Sequence, residues 1–284
     1  MKELFIRTTT GTLFVCILVV AIIWNKYSVA GLFFIVSIIG LFEFFNLMSK
    51  AGFNPKKSFT VSIGAIIYFI ITMYSFKEFS FKYLLFIFPL LVIIVGLELF
   101  RKKDTPISNI AFSIMGILYV IIPFSILNFF AYESNYPSVM GIEDNLHQYW
   151  LLLGFFVIQW ASDTGAYVFG SLFGKRKLAI KISPNKTWEG SIGGLILAII
   201  TGFIFATITS SDELHWANIA IIIVVFGTLG DLTESQIKRS CGVKDSGNIL
   251  PGHGGILDRF DGVLFSAPFV LAYLHLFDLF NLHL

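Results

Sequence analysis

Hydrophobic positions along this chain form long unbroken runs, with neither the alternation of a half-buried strand nor the one-sided stripe of a soluble amphipathic helix. Nine such runs stand out, at about 8–25, 28–48, 59–76, 82–100, 107–131, 149–173, 191–209, 216–232 and 262–281. A bilayer core about 30 Å thick is crossed by roughly 20 apolar residues in a helix, so each run reads as a membrane span. The predicted fold is all-α, a polytopic integral membrane bundle of about nine transmembrane helices. Only Asn25-Lys26-Tyr27 separates the first two runs, which predicts a tight helical hairpin. The run at 149–173 contains Asp163 and three glycines and is expected to be broken or tilted.

Composition agrees. The chain is 56% hydrophobic and 13% charged, where an ordinary soluble domain carries roughly 25% charged residues. A soluble chain of 284 residues cannot bury so many all-apolar helices. Of the 20 Lys and Arg residues, all but Lys26, Lys77 and Lys82 fall in connections on one side of the predicted spans. The positive-inside rule makes that side cytoplasmic, with the N-terminus inside and the C-terminus outside. The first run follows Lys2 and Arg7 but shows no small-residue cleavage pattern, so it reads as a retained helix. Cys16 and Cys241 show no ligand spacing, and neither a disulfide nor a zinc site is expected.

Polar residues divide the chain. Residues 1–132 read as a helical scaffold of about five spans. Residues 133–148, with three acids and no Lys or Arg, read as an external loop. Residues 149–284 read as a catalytic membrane region of about four spans with cytoplasmic loops at 174–190 and 233–261. In that last region Asp163, Asp231, Asp258 and Asp261 sit at or beside span ends. A carboxylate in the apolar zone is costly and usually has a partner or a job. Asp258 and Asp261, three apart, share a helix face, in first turns that favour negative charge. Decoration of helix ends is the bland alternative. Paired carboxylates beside phosphate-binding groups suit Mg²⁺, which takes few protein ligands.

Cations crowd the same two loops. Lys175, Arg176 and Lys177 read as positive-inside charge that attracts anionic lipid headgroups. Lys186 and Arg259, embedded in SPNKTWEG and DRFD, read as phosphate contacts. In PGHGG, Gly252, Gly254 and Gly255 allow close backbone approach to a ligand, although no Walker A pattern is present. His253 suits either proton transfer or phosphate donation, or else capping of the turn. His147, His215, His275 and His283 are assigned no chemistry. Glu98 is expected to pair with the adjacent basic cluster, and Glu43 to pack or join a polar network.

SQIKRSCGVKDSGNILPGHGGILDRFD, Ser235 to Asp261, resembles the signature of the phosphatidate cytidylyltransferases. Ser235, Lys238, Arg239, Lys244, Asp245, Gly247, Pro251, His253, Gly254, Gly255, Asp258, Arg259 and Asp261 occupy its fixed positions. SDTGAYVFG at 162–170, ISPNKTWEGSIGG at 182–194 and GDLTES at 230–235 are also similar to that family. The resemblance implies a reaction of CTP with phosphatidic acid that yields CDP-diacylglycerol and pyrophosphate. It implies one or two divalent cations, Mg²⁺ foremost, with a monovalent ion as a further candidate. Asp163, Asp231, Asp258 and Asp261 would hold metal, and Lys244, Arg259 and His253 would serve catalysis with them. Ser183, Lys186, Thr187, Ser235, Lys238, Arg239, Gly254 and Gly255 would contact substrate. A homodimer is implied, in a bacterial-type cytoplasmic membrane with the site facing the cytoplasm; no nucleic-acid partner is expected. Transfer to another lipid phosphate, phosphorylation of a polyprenol, and transport stand as alternatives.

Overall fold

A computed structural model describes residues 2–101, 105–131 and 149–281. The loop expected at 133–148, with Lys102, Lys103, His147 and His283, lies outside the described residues. Nine helices among the described residues are long and apolar enough to cross a membrane. They are α1 (Lys2–Trp24), α2 (Lys26–Lys50), α3 (Lys57–Ser75), α4 (Phe81–Glu98), α5 (Pro106–Phe130), α6 (Trp150–Phe173), α7 (Trp188–Thr209), α8 (Glu213–Ser240) and α9 (Leu257–Asn281). The chain is therefore a multi-pass integral membrane protein.

Local chemistry explains the boundaries. Asn25 alone interrupts α1 and α2. Its side chain accepts from Tyr27 N (2.8 Å) and Ser28 N (2.9 Å), satisfying amides that a helix start leaves open. Inside α5 the turn Ile117–Ile121 is π-helical. Pro123 comes after Ile122, and its missing N–H cannot bond the Tyr119 carbonyl. Two expectations change. The run at 149–173 is one continuous helix, α6. Helix α8 runs on to Ser240 where hydropathy stops at 232, because its polar end LTESQIKRS keeps helical geometry beyond the apolar zone. The loop at 174–190 holds a small antiparallel hairpin, β1 (Lys177–Ala179) and β2 (Ser183–Thr187). Glu189 closes it, accepting from Lys175 N and Arg176 N at 3.1 Å each.

Contacts divide the chain into two units. The first comprises Met1–Phe129 and Ile237–Phe260, and the second Phe130–Gln236 and Asp261–Leu284. In the first, Phe33, Phe124 and Phe260 are fully buried, with Phe124 and Phe260 edge to face at 5.0 Å. A buried polar strut joins Asn128 Nδ2 to Tyr68 OH and Thr72 Oγ1, each at 3.0 Å. Glu98 accepts from Arg101 (3.0 Å) and from Asn109 Nδ2 (2.8 Å), as its basic neighbours suggested. In the second unit α6 packs closely on α7 through small residues, the usual route to near backbone approach in membranes. A Cβ on Gly165 would lie 2.8 Å from the Gly193 carbonyl, and one on Gly193 would lie 2.3 Å from the Phe169 side chain. The glycines that suggested a break in α6 thus belong to packing.

Gly193→Ala is expected to lower stability by about 1–3 kcal/mol through overpacking. Gly31→Ala, where nothing lies within 4 Å of the new methyl, is expected to leave stability unchanged or raised. Melting midpoints of the purified proteins in detergent check both.

Candidate active site

Each unit carries a polar cluster built from the motif residues. In the first it is the loop between α8 and α9 together with the start of α9. Asp258 lies in the first turn of α9, and its carboxylate is fully engaged. Lys238 Nζ donates to Oδ1 at 2.6 Å, while Ser246 N (2.9 Å), Ser246 Oγ (2.9 Å) and Gly255 N (2.8 Å) donate to Oδ2. Both charged side chains of the pair are largely shielded, with 11% and 7% of their surface exposed. In the sequence the glycines stood as a cradle for ligand phosphate; here Gly254 and Gly255 lie against protein carboxylates, and Gly252 lies against Arg7. A Cβ on Gly254 would lie 2.7 Å from Asp258 Oδ2, and Gly254 has a left-handed φ of 82° that a side chain would strain. A Cβ on Gly247 would lie 2.5 Å from Glu43 Oε1.

Glu43, expected to pack or to join a polar network, joins one whose partners the sequence did not name. It sits on α2, 3% exposed, and accepts from Ile256 N and Leu257 N at 3.0 Å each and from Ser246 Oγ at 3.3 Å. Its position in FEFFN marked a buried acid; nothing local named partners so far along the chain. Helix α1 also holds the loop. Arg7 Nε donates to the Gly252 carbonyl (3.1 Å), and a Cβ on Gly11 would lie 3.1 Å from His253 Nε2. His253 Nδ1 is buried and makes no hydrogen bond among the described residues. The His253 backbone binds the turn, with N donating to Leu250 O (2.9 Å) and O accepting from Arg259 Nε (2.9 Å). Lys244 and Arg259 are exposed, and exposed Arg239 donates to the Val243 carbonyl at 3.0 Å.

The second unit gathers acids. Asp261, half-buried, accepts from Gly262 N at 2.7 Å, and Asp231, Glu234 and Asp163 are its acidic neighbours. Glu234, 1% exposed, is a second residue the sequence reading passed over. It lay in GDLTES, but neither a span end nor a charge pair drew attention to it. Lys186 forms an ion pair with Asp231, and Ser235 Oγ donates to Asp231 Oδ1 at 3.3 Å. Gln159 Nε2 donates to Asp163 Oδ1 at 3.2 Å, one turn along α6. Gln159 fills a gap that glycines make, since a Cβ on Gly262 would lie 2.9 Å from its Nε2. Thr187, 5% exposed, caps α7 by accepting from Gly190 N at 3.2 Å. Ser183 begins β2 opposite Ala179.

Among the described residues no group of three or more His, Cys, Asp or Glu side chains could hold a metal ion as arranged. Mg²⁺ does not need one, since it is bound through about one or two carboxylates with waters and substrate phosphates completing the shell. The donors around Asp261 are hard carboxylate oxygens whose mutual repulsion a divalent cation relieves, so the residues fit the ion in kind. Asp258 is different, because four donors already engage its oxygens.

A model of the cytidylyltransferase family matches residues 5–277 of this chain. The phosphatidate cytidylyltransferase of Haemophilus influenzae is 44% identical over 165 residues, 53% of this chain and 57% of that protein. The one from Staphylococcus saprophyticus is 44% identical over 178 residues, 62% and 63% of the two chains. The one from Bacillus subtilis is 50% identical over 138 residues, 47% and 51%. The matched stretch thus spans less than two thirds of the length of each of these relatives.

Lys238→Met strands the buried Asp258 carboxylate and is expected to cost about 3–5 kcal/mol. Adding Asp258→Asn is expected to restore most of that loss. Detergent melting of the single and double variants checks the pair, and equal loss in both would contradict it.

Proposed function

The chain belongs to the cytidylyltransferase family, and on that premise we propose that it transfers CMP from CTP to phosphatidate in a bacterial-type cytoplasmic membrane. The products are CDP-diacylglycerol and pyrophosphate. The observation that carries this reading is the set of carboxylates around Asp261, faced by Lys186 on Asp231, within motifs similar to those of this family. A phosphate oxygen of phosphatidate forms a bond to the α-phosphorus of CTP as the bond to pyrophosphate breaks. Both reactants are anions, so the protein's work is positioning and neutralisation of charge.

In the second unit Asp261 and Asp231 would hold Mg²⁺, with Asp163 and Glu234 adding negative potential. When bound, the ion supplies Lewis-acid stabilisation of charge on phosphate oxygens. Lys186 can leave Asp231 for a substrate phosphate, exchanging one anionic partner for another. Within the first unit Lys244, Arg239 and Arg259 are exposed cations available to anionic ligands. Lys238 is committed to Asp258 and acts through it. A phosphatidate oxygen is nucleophilic without a strong base, so no role in proton removal is assigned to His253. The site faces the cytoplasm, where CTP is found, and the active form is a homodimer.

Purified protein given α-labelled CTP and phosphatidate in mixed micelles should yield labelled lipid and pyrophosphate one for one. Release of CDP would identify a kinase instead. Asp231→Asn and Asp261→Asn should each lower turnover by at least about 100-fold, the scale of removing a principal electrostatic group. Full turnover in both would remove these acids from the mechanism.

A further inference from the structure

Helix α9 starts at Leu257 after Gly254, Gly255 and Ile256, none of which offers a side chain that can cap it. A helix start leaves its first amides without intrahelical partners, and buried amides need acceptors. Gly255 N finds Asp258 Oδ2. Ile256 N and Leu257 N, both on buried residues, find the two oxygens of Glu43. The cap is thus supplied from α2, more than 200 positions earlier in the chain. A carboxylate is well matched to that place, since the helix dipole favours negative charge there and charge-assisted bonds offset its burial.

Glu43 also reaches the carboxylate beside it. Ser246 Oγ lies 2.9 Å from Asp258 Oδ2 and 3.3 Å from Glu43 Oε2. A hydroxyl has one hydrogen to donate, so Ser246 serves the two acids in turn, and a change at one is felt at the other. Gly247 and Gly255 leave room for this arrangement, since a Cβ on either would lie 2.5 Å from a Glu43 oxygen. Leu257 and Ile256 side chains meanwhile pack where Gly40 leaves space on α2, at 3.3 and 3.8 Å from a Cβ placed there. The same helix therefore fixes both the backbone and the side chains of the start of α9.

We propose that Glu43 is a positioning residue for cytidylyl transfer: it sets the loop from Lys244 to Leu257 and, through Ser246, the carboxylate of Asp258. This inference rests on the function proposed above. The test compares Glu43→Gln, Ser246→Ala and the double variant with the parent protein for kcat, for KM toward CTP, and for melting in detergent. Glutamine keeps the shape but turns an NH2 toward a donor. Glu43→Gln should lower kcat by about 10- to 100-fold, as loss of a supporting group does. KM should be little changed, the melting midpoint should fall by a few degrees with the protein still fully folded at the assay temperature, and the double variant should be no worse than Glu43→Gln alone. Unchanged kcat in Glu43→Gln overturns the proposal. So does a loss that follows the folded fraction, or losses that multiply in the double variant. Amide exchange at Ile256 and Leu257 gives a readout apart from turnover and should quicken in Glu43→Gln. If the parent protein shows no CMP transfer, the proposed function fails, while the exchange result still decides whether Glu43 caps α9; unaltered exchange would refute that cap.

Discussion

Holding carboxylates in a protein interior that lies within an apolar slab is the constraint on which the polar half of this structure depends. Each such group must be answered by hydrogen bonds or opposite charge, or its burial is too costly to keep. The structure answers its acids in different ways. Asp258 has a lysine and three further donors. Glu43 has two helix-start amides and a hydroxyl. Asp261, half-buried, accepts the amide of the next residue, Gly262, and has Asp231, Glu234 and Asp163 as acidic neighbours. The first two describe a locked loop. The third describes acids gathered in one place, the feature on which the proposed cation site rests.

The loop's glycines follow from the same constraint. Backbone must come close to Glu43 and Asp258 for its amides to reach their oxygens, and side chains at Gly247, Gly254 or Gly255 would occupy that space. Arg7 and Gly11 on α1 then hold the outer side of the turn, around His253. Helices that read as scaffold in sequence thus supply the acceptors and the steric seat on which the signature loop is built. Contacts place 237–260 with residues 1–129 for this reason.

The spans were legible because the demands of a bilayer act locally: about 20 consecutive apolar residues suffice, wherever they occur. The signature acids and cations were legible because their spacing is local too, Asp258 to Asp261 and Lys238 to Lys244. Glu43 was visible as a buried acid but not as a cap, since its partners lie at 256 and 257 and no period links them. Glu234 and Gln159 were obscured in the same way, their importance resting on which helices neighbour which. Asp163 and the glycines of α6 misled the reading of that run. A glycine suggests a break when viewed along one helix and close packing when the second helix is known. The hairpin at 177–187 was hidden because three- and five-residue strands carry too little alternation to register.

The carboxylates around Asp261 are the proposed cation-holding centre of the molecule. Binding of Mn²⁺, a paramagnetic stand-in for Mg²⁺, can be counted directly by electron paramagnetic resonance on the purified protein with CTP present. Saturable binding is expected in the parent protein, weakened at least about 10-fold by Asp261→Asn. Equal binding by the parent and the variant, or no saturable binding in either, would contradict it.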